Sequence, residues 1–302
     1  MTQPAPRIGF GVDIGGSGIK GGLADLDAGV LAAERYKVPT PQPSTPGAVA
    51  EAVAEVVEHF SWTGPIGVTF PAVVTAGVAR TAANVDDAWI GTNIQEVVES
   101  ATGLPATAVN DADAAGLAEA LWGAAAGVAG LVIVTTLGTG IGTALLVDGE
   151  LVPNSELGHL PVDGKDAEVT ASAAARERNN WSWEAWARRL QRYYSLLEDL
   201  LWPELIVVGG GVSRKADKFL PYLELRTPIV PAKLRNEAGI VGAAALSAPD
   251  RRLPPGELGP PLQRAGAGEA GSGAGRHPAL GHVTEGHHLL LHRRPGPGSS
   301  VV

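Results

Sequence analysis

The sequence contains no cysteine and no uninterrupted apolar stretch of 18 residues. Without cysteine, the chain has no disulfide bonds, no thiolate zinc site and no cysteine nucleophile. The lack of a long apolar run, and of a basic and then apolar segment at the N-terminus, argues against a membrane-spanning helix and a signal peptide. We therefore expect a soluble cytoplasmic protein with no membrane partner.

Positive charge is also scarce, because 23 Lys and Arg residues face 32 Asp and Glu residues and leave a net charge of −9. This balance argues against a general nucleic-acid binder, so a polyanionic ligand would need a local basic patch or metal ions. Hydrophobic residues make up 45% of the 302 residues, enough for one large or two ordinary domains. Pro, Gly, Arg and His dominate residues 249–302, where we expect a disordered tail.

Glycine is abundant, and its densest group follows a short apolar strand at residues 8–12. Five glycines lie within residues 15–22, too many for a strand or helix interior, and they predict a turn that opens backbone N–H groups to a ligand. Asp13, Ser17 and Lys20 add a carboxylate, a hydroxyl and an ammonium group, which suit a phosphate with its metal ion. A glycine-rich hairpin without a ligand is the alternative.

Two further glycine turns follow buried strands. Residues 138–142 join two apolar runs about 120 residues after the first turn, which indicates an internal duplication and a cleft between two similar domains. Residues 209–211 open a predicted helix that carries Lys215, which suits an adenine nucleotide or another phosphate-bearing donor. The candidate donor-binding residues are Asp13, Gly15, Gly16, Ser17, Gly18, Lys20, Gly138, Thr139, Gly140, Gly142, Gly209, Gly210, Gly211 and Lys215.

Polar residues also cluster where a strand at 107–109 runs into an alanine-rich helix. One polar residue at this junction is explained by capping of the helix. The run Asn-Asp-Ala-Asp at 110–113 exceeds that need and favours a functional site, with capping as the alternative.

Glu156 and His159 lie three residues apart, a spacing that can serve a metal ion. Zinc would lack further ligands, because only one other histidine precedes the tail, so contacts with sugar hydroxyls fit better. A surface turn is the alternative. The loop at 81–91 contains Asn84 and Trp89 and predicts either sugar contacts or an ordinary loop with Trp89 in the core.

The clearest helical pattern spans residues 181–202, where aromatic and leucine side chains recur every three or four positions. We expect this stripe to lie in the core or in a subunit interface rather than in a ligand site. An interface there would make the protein a homodimer.

These motifs occur in the order typical of one protein family. The resemblance rests on Asp13-Ile-Gly-Gly, Asn110-Asp111, Gly-Thr-Gly-Ile-Gly at 138–142, Glu156-Leu-Gly-His159 and Gly209-Gly-Gly211. Together they resemble the ROK family of sugar kinases over residues 7–247. The resemblance implies an α/β protein with the actin-like ATPase (ribonuclease H-like) fold, in which two α/β domains surround a cleft. We expect a small domain at 7–109 plus 236–247 and a large domain at 110–235.

Within that family, residues 163–176, 201–203, 215–222 and 226–231 look like the actinobacterial polyphosphate glucokinases. The resemblance implies a glucokinase that transfers a phosphoryl group from inorganic polyphosphate, and also from ATP, to O6 of glucose. Asp111 would be the catalytic base. The residues implied to hold the glucose are Asn84, Asn110, Glu156, His159 and Glu168.

The resemblance also implies Mg²⁺ near Asp13, bound directly or through water. We expect no zinc site, because the cysteine cluster that follows Glu-x-Gly-His in most family members is absent. A path for polyphosphate is expected at Arg176, Arg178, Lys215 and Lys218, with ordinary surface charge as the alternative.

Two other functions stay open as alternatives. One is an ATP-only hexose kinase of the same family, and the other is a non-catalytic sugar-binding sensor. The intact acidic and glycine motifs argue against the sensor. A DNA-binding repressor is not expected, since only about ten residues precede Asp13.

Overall fold

Two β-sheets form the framework of residues 5–82 and 84–248, the part of the chain that the computed structural model describes. In chain order the first strands are β1 (Ile8–Gly15), β2 (Gly18–Asp25), β3 (Val30–Leu31), β4 (Tyr36–Val38), β5 (Ile66–Phe70), β6 (Val74–Thr75), β7 (Val78–Ala79) and β8 (Ala106–Asn110). Strands β6 and β7 form a separate hairpin. The others make a sheet of order β3-β2-β1-β5-β8, in which β4 also pairs with β2. The tail predicted at 249–302 lies outside the described residues.

The second sheet has the order β11-β10-β9-β14-β15. The remaining strands are β9 (Leu131–Leu137), β10 (Ile141–Val147), β11 (Glu150–Val152), β12 (Pro161–Val162), β13 (Lys165–Asp166), β14 (Leu205–Gly209) and β15 (Ile229–Pro231). Strands β12 and β13 form another separate hairpin.

The two sheets share one topology. Each begins with an antiparallel hairpin, β1–β2 in one and β9–β10 in the other. Each continues with two strands parallel to the first strand of its hairpin, β5 and β8 or β14 and β15. The internal duplication that the glycine turns predicted is therefore confirmed.

Seven α-helices connect these strands within the described residues. They are α1 (Pro46–His59), α2 (Ile94–Thr102), α3 (Asp111–Trp122), α4 (Ala167–Ala171), α5 (Ala173–Arg178), α6 (Trp183–Leu201) and α7 (Ala238–Ser247). Short 3₁₀ helices lie at 87–89, 157–159, 211–218, 220–222 and 235–237. In the described ranges, no helix combines the length and the apolar character needed to cross a bilayer.

Helices α3 and α7 pack against each other and each covers one sheet. A Cβ atom added to Gly11 of β1 would lie 1.9 Å from the carbonyl oxygen of Ile240, so only glycine lets α7 approach the strand this closely. A Cβ atom on Gly242 of α7 would likewise lie 1.9 Å from the carbonyl oxygen of Ala114 in α3. This close packing fixes the first turn of α3, which begins at Asp111, between the two sheets.

The prediction that the glycines of 15–22 are all turn residues is wrong. Gly15 ends β1, and Gly18 and Gly21 lie inside β2, so the turn itself contains only Gly16 and Ser17. A Cβ atom on Gly21 would lie 2.4 Å from the side chain of Val56 in α1. Glycine in this strand therefore serves close helix packing rather than the turn.

Two other helical predictions need correction. The segment after the third glycine turn, Gly211–Lys218, is a 3₁₀ helix with a kink at Lys215 rather than an α-helix. The pattern at 181–202 is only partly confirmed. In α6, Trp186 and Tyr193 are fully buried and belong to the core under the second sheet, one of the two places expected for this stripe. Leu200, which the pattern put on the same stripe, is 56% exposed.

Candidate functional site

A cavity of about 240 Å³ lies where strands of both sheets meet helices α3 and α7. Its walls include Asp13 and Lys20 from the first sheet, Thr136 and Gly209 from the second, and Asp111 from α3. The structure thus brings together residues of the first and third glycine motifs and the predicted catalytic base. We call this space the central cavity.

Strand register explains the position of Asp13. Asp13 pairs with Lys20 across the β1–β2 hairpin and with Thr69 on the parallel strand β5. One carboxylate oxygen accepts a hydrogen bond from the Thr69 hydroxyl at 2.9 Å, and the other lies 3.1 Å from the Lys20 ammonium group. These contacts hold the carboxylate at the edge of the sheet where parallel strands end and ligands commonly bind.

Asn110 and Asp111 lie at the junction of β8 and α3. The Asn110 side-chain oxygen accepts hydrogen bonds from the N–H groups of Ala112 and Asp113, at 2.8 and 3.1 Å. Its amide nitrogen donates to the carbonyl oxygen of Ala72 at 2.9 Å. Asn110 is therefore a helix cap, and one amide N–H is left for a ligand.

The environment of Asp111 gives its carboxyl group the character of a base. The Asp111 side chain is accessible from the central cavity, and the protein groups around it remove part of its hydration. Loss of hydration there, and next the negative charge of Asp13, raise the pKa of Asp111 to about 7. The charges of Glu156 and Asp113 act in the same direction. A base of this strength is close to optimal for proton transfer at neutral pH.

Asp113 is a buried carboxylic acid two residues after Asp111, and the sequence predicted no separate role for it. Its side chain is fully buried, and one oxygen accepts a hydrogen bond from the Asn154 N–H at 2.7 Å. The other oxygen has no hydrogen-bond partner. Burial raises the pKa of Asp113 to about 6. The Asn154 side chain bonds to both the N–H and the carbonyl of Val74, so it ties the segment before Glu156 to the β6–β7 hairpin.

Three of the residues predicted to hold a sugar lie around the second glycine turn. Glu168 accepts a hydrogen bond from the Ile141 N–H at 3.0 Å, and a Cβ atom on Gly140 would lie 2.2 Å from its carboxylate. Glu156 and His159 approach each other to 3.8 Å. Loss of hydration raises the pKa of Glu156, while the neighbouring His159 lowers it.

Asp166 orients His159, and the sequence motif did not reveal this contact. The Nδ1 atom of His159 lies 2.8 Å from the Asp166 carboxylate, whose other oxygen accepts from the Glu168 N–H. This hydrogen bond is the main cause of a raised His159 pKa. Seven residues and a hairpin turn separate the two, so no local spacing rule links them.

Asn84 lies apart from that group, beside the first glycine turn. A Cβ atom on Gly16 would lie 3.2 Å from the Asn84 backbone oxygen and 3.3 Å from its Cβ. Its side chain is exposed. The structure thus brings Asn84 next to the predicted phosphate turn rather than next to Glu156.

The three glycine turns differ in how they are built. The first is tethered by the Thr40 hydroxyl, which donates to the carbonyl oxygen of Gly15. The second is closed by a hydrogen bond from the Gly138 N–H to the Gly140 carbonyl at 3.0 Å. The third lies against the second, because Gly210 has φ of 77° and its missing Cβ would lie 2.4 Å from the Leu137 carbonyl oxygen. The tips of the first two turns, at Ser17 and Thr139, are exposed.

Three of the four cations predicted as a polyphosphate path surround one indole ring. The Arg176 guanidinium lies 3.6 Å from the Trp183 ring centre, and the Lys215 and Lys218 ammonium groups lie 5.8 and 5.9 Å from it. We call Arg176, Lys215 and Lys218 the Trp183 cluster. Arg178 instead donates a hydrogen bond to the carbonyl oxygen of Val169.

Metal ligands are sparse in the part of the chain that the structure describes. Within 5–82 and 84–248, no three His, Asp or Glu residues gather as a metal-binding group. Asp13 and Asp111 line the central cavity as two carboxylates, and the charge of Asp13 contributes to the raised pKa of Asp111. Mg²⁺ is commonly held by one or two carboxylates together with substrate phosphates, so these residues fit that ion.

A model of the ROK family matches residues 9–176. The polyphosphate glucokinase of Mycobacterium tuberculosis (strain CDC 1551 / Oshkosh) is 55% identical over 245 residues, which cover 81% of this chain and 92% of that protein.

Two solved structures of kinases are also similar to this chain. The crystal structure of an inorganic polyphosphate/ATP-glucomannokinase from Arthrobacter sp. strain KM is similar, with 58% identity, a TM-score of 0.76 and coverage of 80% of this chain and 98% of that one. A ROK family glucokinase from Streptomyces griseus, solved with glucose and AMPPNP, has 25% identity, a TM-score of 0.69 and coverage of 80% and 99%. The α/β fold predicted from the sequence is therefore confirmed as the actin-like ATPase fold of these kinases.

Proposed function

The chain belongs to the ROK family, and we propose that it transfers a phosphoryl group from inorganic polyphosphate, and also from ATP, to O6 of glucose. The observation that carries the proposal is the carboxyl group of Asp111, which has a pKa of about 7 and faces a cavity shared with Asp13 and Lys20. The 55% identity to a polyphosphate glucokinase supports the same reaction.

Asp111 is proposed to be the catalytic base. A sugar hydroxyl is a weak nucleophile, and a carboxylate that takes its proton as the bond to phosphorus forms makes the attack easier. Such proton transfer contributes about 10²–10⁴-fold to the rate. The hydrogen bonds that hold Asn110 as a cap also fix the backbone from which the Asp111 side chain extends.

The glucose is proposed to lie between Asp111 and the segment that carries Glu156 and His159. Carboxylates accept hydrogen bonds from sugar hydroxyls, and the imidazole can donate or accept. The hydrogen bond from the Asn154 N–H to the Asp113 carboxylate, at 2.7 Å, holds this segment beside the first turn of α3 and so supports the placement. Asn110, Glu168 and Asn84 complete the proposed set of glucose contacts.

The donor is proposed to occupy the central cavity, with its terminal phosphate toward Asp111. The N–H groups of the first and second glycine turns, at 15–18 and 138–142, would stabilise the charge on the transferred group. Lys20 adds a positive charge beside Asp13. The third turn, 209–211, is proposed to contact the donor further from the glucose, whereas Lys215 lies outside the lining of the central cavity.

Asp13 is proposed to bind Mg²⁺, directly or through water. When bound, the ion would neutralise charge on the donor phosphates. The Thr69 hydroxyl on β5 and the Lys20 ammonium group on β2 each hold one oxygen of the Asp13 carboxylate. The carboxylate is therefore held in one orientation before an ion binds.

The two repeated halves are proposed to act as domains that close around the substrates, with bounds at 7–109 plus 236–247 and at 110–235. Closure would expel water, so that phosphate passes to glucose rather than to a water molecule. We further propose a cytoplasmic homodimer that binds neither nucleic acid nor membrane, in keeping with the net charge of −9.

The test measures glucose 6-phosphate formation by the purified full-length protein with polyphosphate and with ATP, each with and without Mg²⁺. Turnover with polyphosphate that requires Mg²⁺ is expected. Turnover with ATP alone would replace the proposal with an ATP-only hexose kinase. Glucose binding without turnover on either donor would replace it with a sugar sensor.

A further inference from the structure

A second, larger cavity adjoins the central cavity, and its lining is basic. It has a volume of about 970 Å³ and is lined by the cations Arg35, Arg214, Lys233 and Arg235. We propose that this basic groove, defined by those four residues, binds the distal phosphates of a long polyphosphate donor. The inference rests on the proposed function, because it requires that the donor ends in the central cavity.

The two cavities share part of their walls. Arg235 and Asn236 line both the basic groove and the central cavity. A donor whose terminal phosphate lies near Asp111 is therefore inferred to extend past Arg235 into the basic groove. An extended polyanion needs such an open track, whereas a triphosphate would end within the first part of it.

Buried hydrogen bonds hold the segment that forms this junction. The Glu119 side chain is almost fully buried, and its carboxylate accepts hydrogen bonds from the N–H groups of Lys233 and Leu234, at 3.1 and 2.7 Å. It also accepts from the Ala124 N–H at 2.7 Å, which ties the end of α3 to the same point. The fold therefore fixes the backbone at Lys233 and Leu234, which form one wall of the groove.

The charge of the groove contrasts with that of the whole chain. Four cations face two carboxylates, Glu34 and Glu237, in a protein whose net charge is −9. In the described residues, none of the four cations forms an ion pair, so their charges are available to a ligand. A local excess of positive charge on an acidic protein favours a polyanion held by several phosphate contacts.

The Trp183 cluster is the competing surface for the same ligand. Its cations lie over an indole ring, where the interaction with the aromatic face already satisfies part of their charge. None of its three members lines the central cavity or the basic groove. Arg214, which belongs to the same 3₁₀ helix as Lys215 and Lys218, lines the groove instead.

The test compares donors of different length in the double variant Arg214→Ala/Lys233→Ala. We expect kcat/KM for long-chain polyphosphate to fall about 5- to 25-fold, because each exposed charge contact contributes up to about 1 kcal/mol, or about fivefold. Tripolyphosphate and ATP should change by less than about twofold, because they leave most of the groove empty. Raising the salt concentration should reduce the difference between the variant and the unaltered protein for the long donor.

A matched control removes two positive charges elsewhere. Arg188→Ala/Arg192→Ala deletes two exposed cations of α6 that pair with Glu184 and Asp163 and that are absent from the linings of both cavities. This control should leave the chain-length preference unchanged. Lys218→Ala reports separately on the Trp183 cluster.

Any one of four results would contradict the proposal that the basic groove binds polyphosphate. They are no change in the double variant, an equal loss for all three donors, an equal loss in the control, or a long-chain loss that Lys218→Ala causes and the groove variant does not. Failure of the proposed function looks different, because the unaltered protein would then not phosphorylate glucose with polyphosphate of any length.

Discussion

Replacing Asp111 with Asn keeps the shape of the side chain and removes its ability to accept a proton. We expect kcat to fall about 10²–10⁴-fold with either donor, which corresponds to about 3–5 kcal/mol of lost transition-state stabilisation. The dissociation constant for glucose should change little, because Asn retains one acceptor oxygen at the same position. A coupled assay for glucose 6-phosphate gives kcat, and calorimetry gives glucose binding.

The pH dependence of the unaltered enzyme follows from the same group. Because the pKa of Asp111 is about 7, the carboxyl group is protonated below that pH and cannot act as a base. We expect kcat/KM for glucose to fall about tenfold for each pH unit below about 7, and this limb to be absent from the residual activity of Asp111→Asn.

As pH rises from about 4 to about 7, the free energy of unfolding should fall while the activity rises. The pKa of Asp111 in the folded protein is about 7 against an ordinary value of 3.8, so the folded state binds more protons than the unfolded state between these values. The free energy of unfolding therefore falls as pH rises from about 4 to about 7. The full difference corresponds to about 4 kcal/mol. Because the side chain is open to water in the cavity, we discount the expected gain of Asp111→Asn at pH 8 to about 1–2 kcal/mol.

Urea denaturation at pH 4 and pH 8 measures this effect, with the two proteins expected to differ only at pH 8. The reasoning on Asp111 is refuted if Asp111→Asn retains more than about a tenth of the activity, since general-base catalysis is worth at least about 100-fold. It is refuted equally if the variant is less stable than the unaltered protein at pH 8.

Three other substitutions test how the site is supported. Asp166→Asn keeps an oxygen that can cap α4 but should lower the pKa of His159, as measured by NMR titration, and should raise KM for glucose more than it lowers kcat; an unchanged His159 titration would contradict the contact. The contact between His159 and Asp166 stabilises the folded protein at pH values below the unfolded-state His159 pKa of about 6.5, and this contribution is lost as pH rises through the higher His159 pKa of the folded state. Glu119→Gln leaves one acceptor for three N–H groups and should lower the free energy of unfolding by about 2–3 kcal/mol, whereas a neutral result would mean that water replaces the lost acceptor. Gly210→Ala should destabilise the fold by about 2 kcal/mol or more, and Gly211→Ala, which has open space around it, should cost under about 1 kcal/mol; equal effects would argue against steric strain at the third glycine turn.

The sequence predicted most of the elements that form the site. The strand that enters the first glycine turn, the junction at Asn110 and the strands before the second and third turns all lie where local patterns indicated. These features are readable because apolar runs, glycine and helix caps act through residues close in sequence. The repeated glycine turns also predicted the repeated topology of the two sheets.

Contacts between distant segments were not predictable in the same way. Thr69 reaches Asp13 only because β5 pairs with β1 in one register, and 56 residues separate the two. The basic groove combines residues near 28–35, Trp122, Arg214 and 233–237, which share no local motif. Such sites depend on tertiary packing that a single sequence does not display.

Glycine was the residue type most easily misread. Gly21 and Gly142 lie in strands, where their small size admits a helix or a neighbouring side chain, and not in the turns next to them. A glycine count alone does not separate a ligand-binding turn from close packing, because both need the absence of a Cβ atom.

The most direct measurement of the central claim is the position of the phosphate on the product. Glucose and polyphosphate are incubated with the full-length protein, and phosphorus–proton correlation by NMR identifies the carbon that carries the phosphate. We predict phosphate coupled to the two protons on C6, and formation of this product about 10²–10⁴-fold more slowly by Asp111→Asn. Phosphate on any other carbon, or inorganic phosphate without a sugar phosphate, would contradict it.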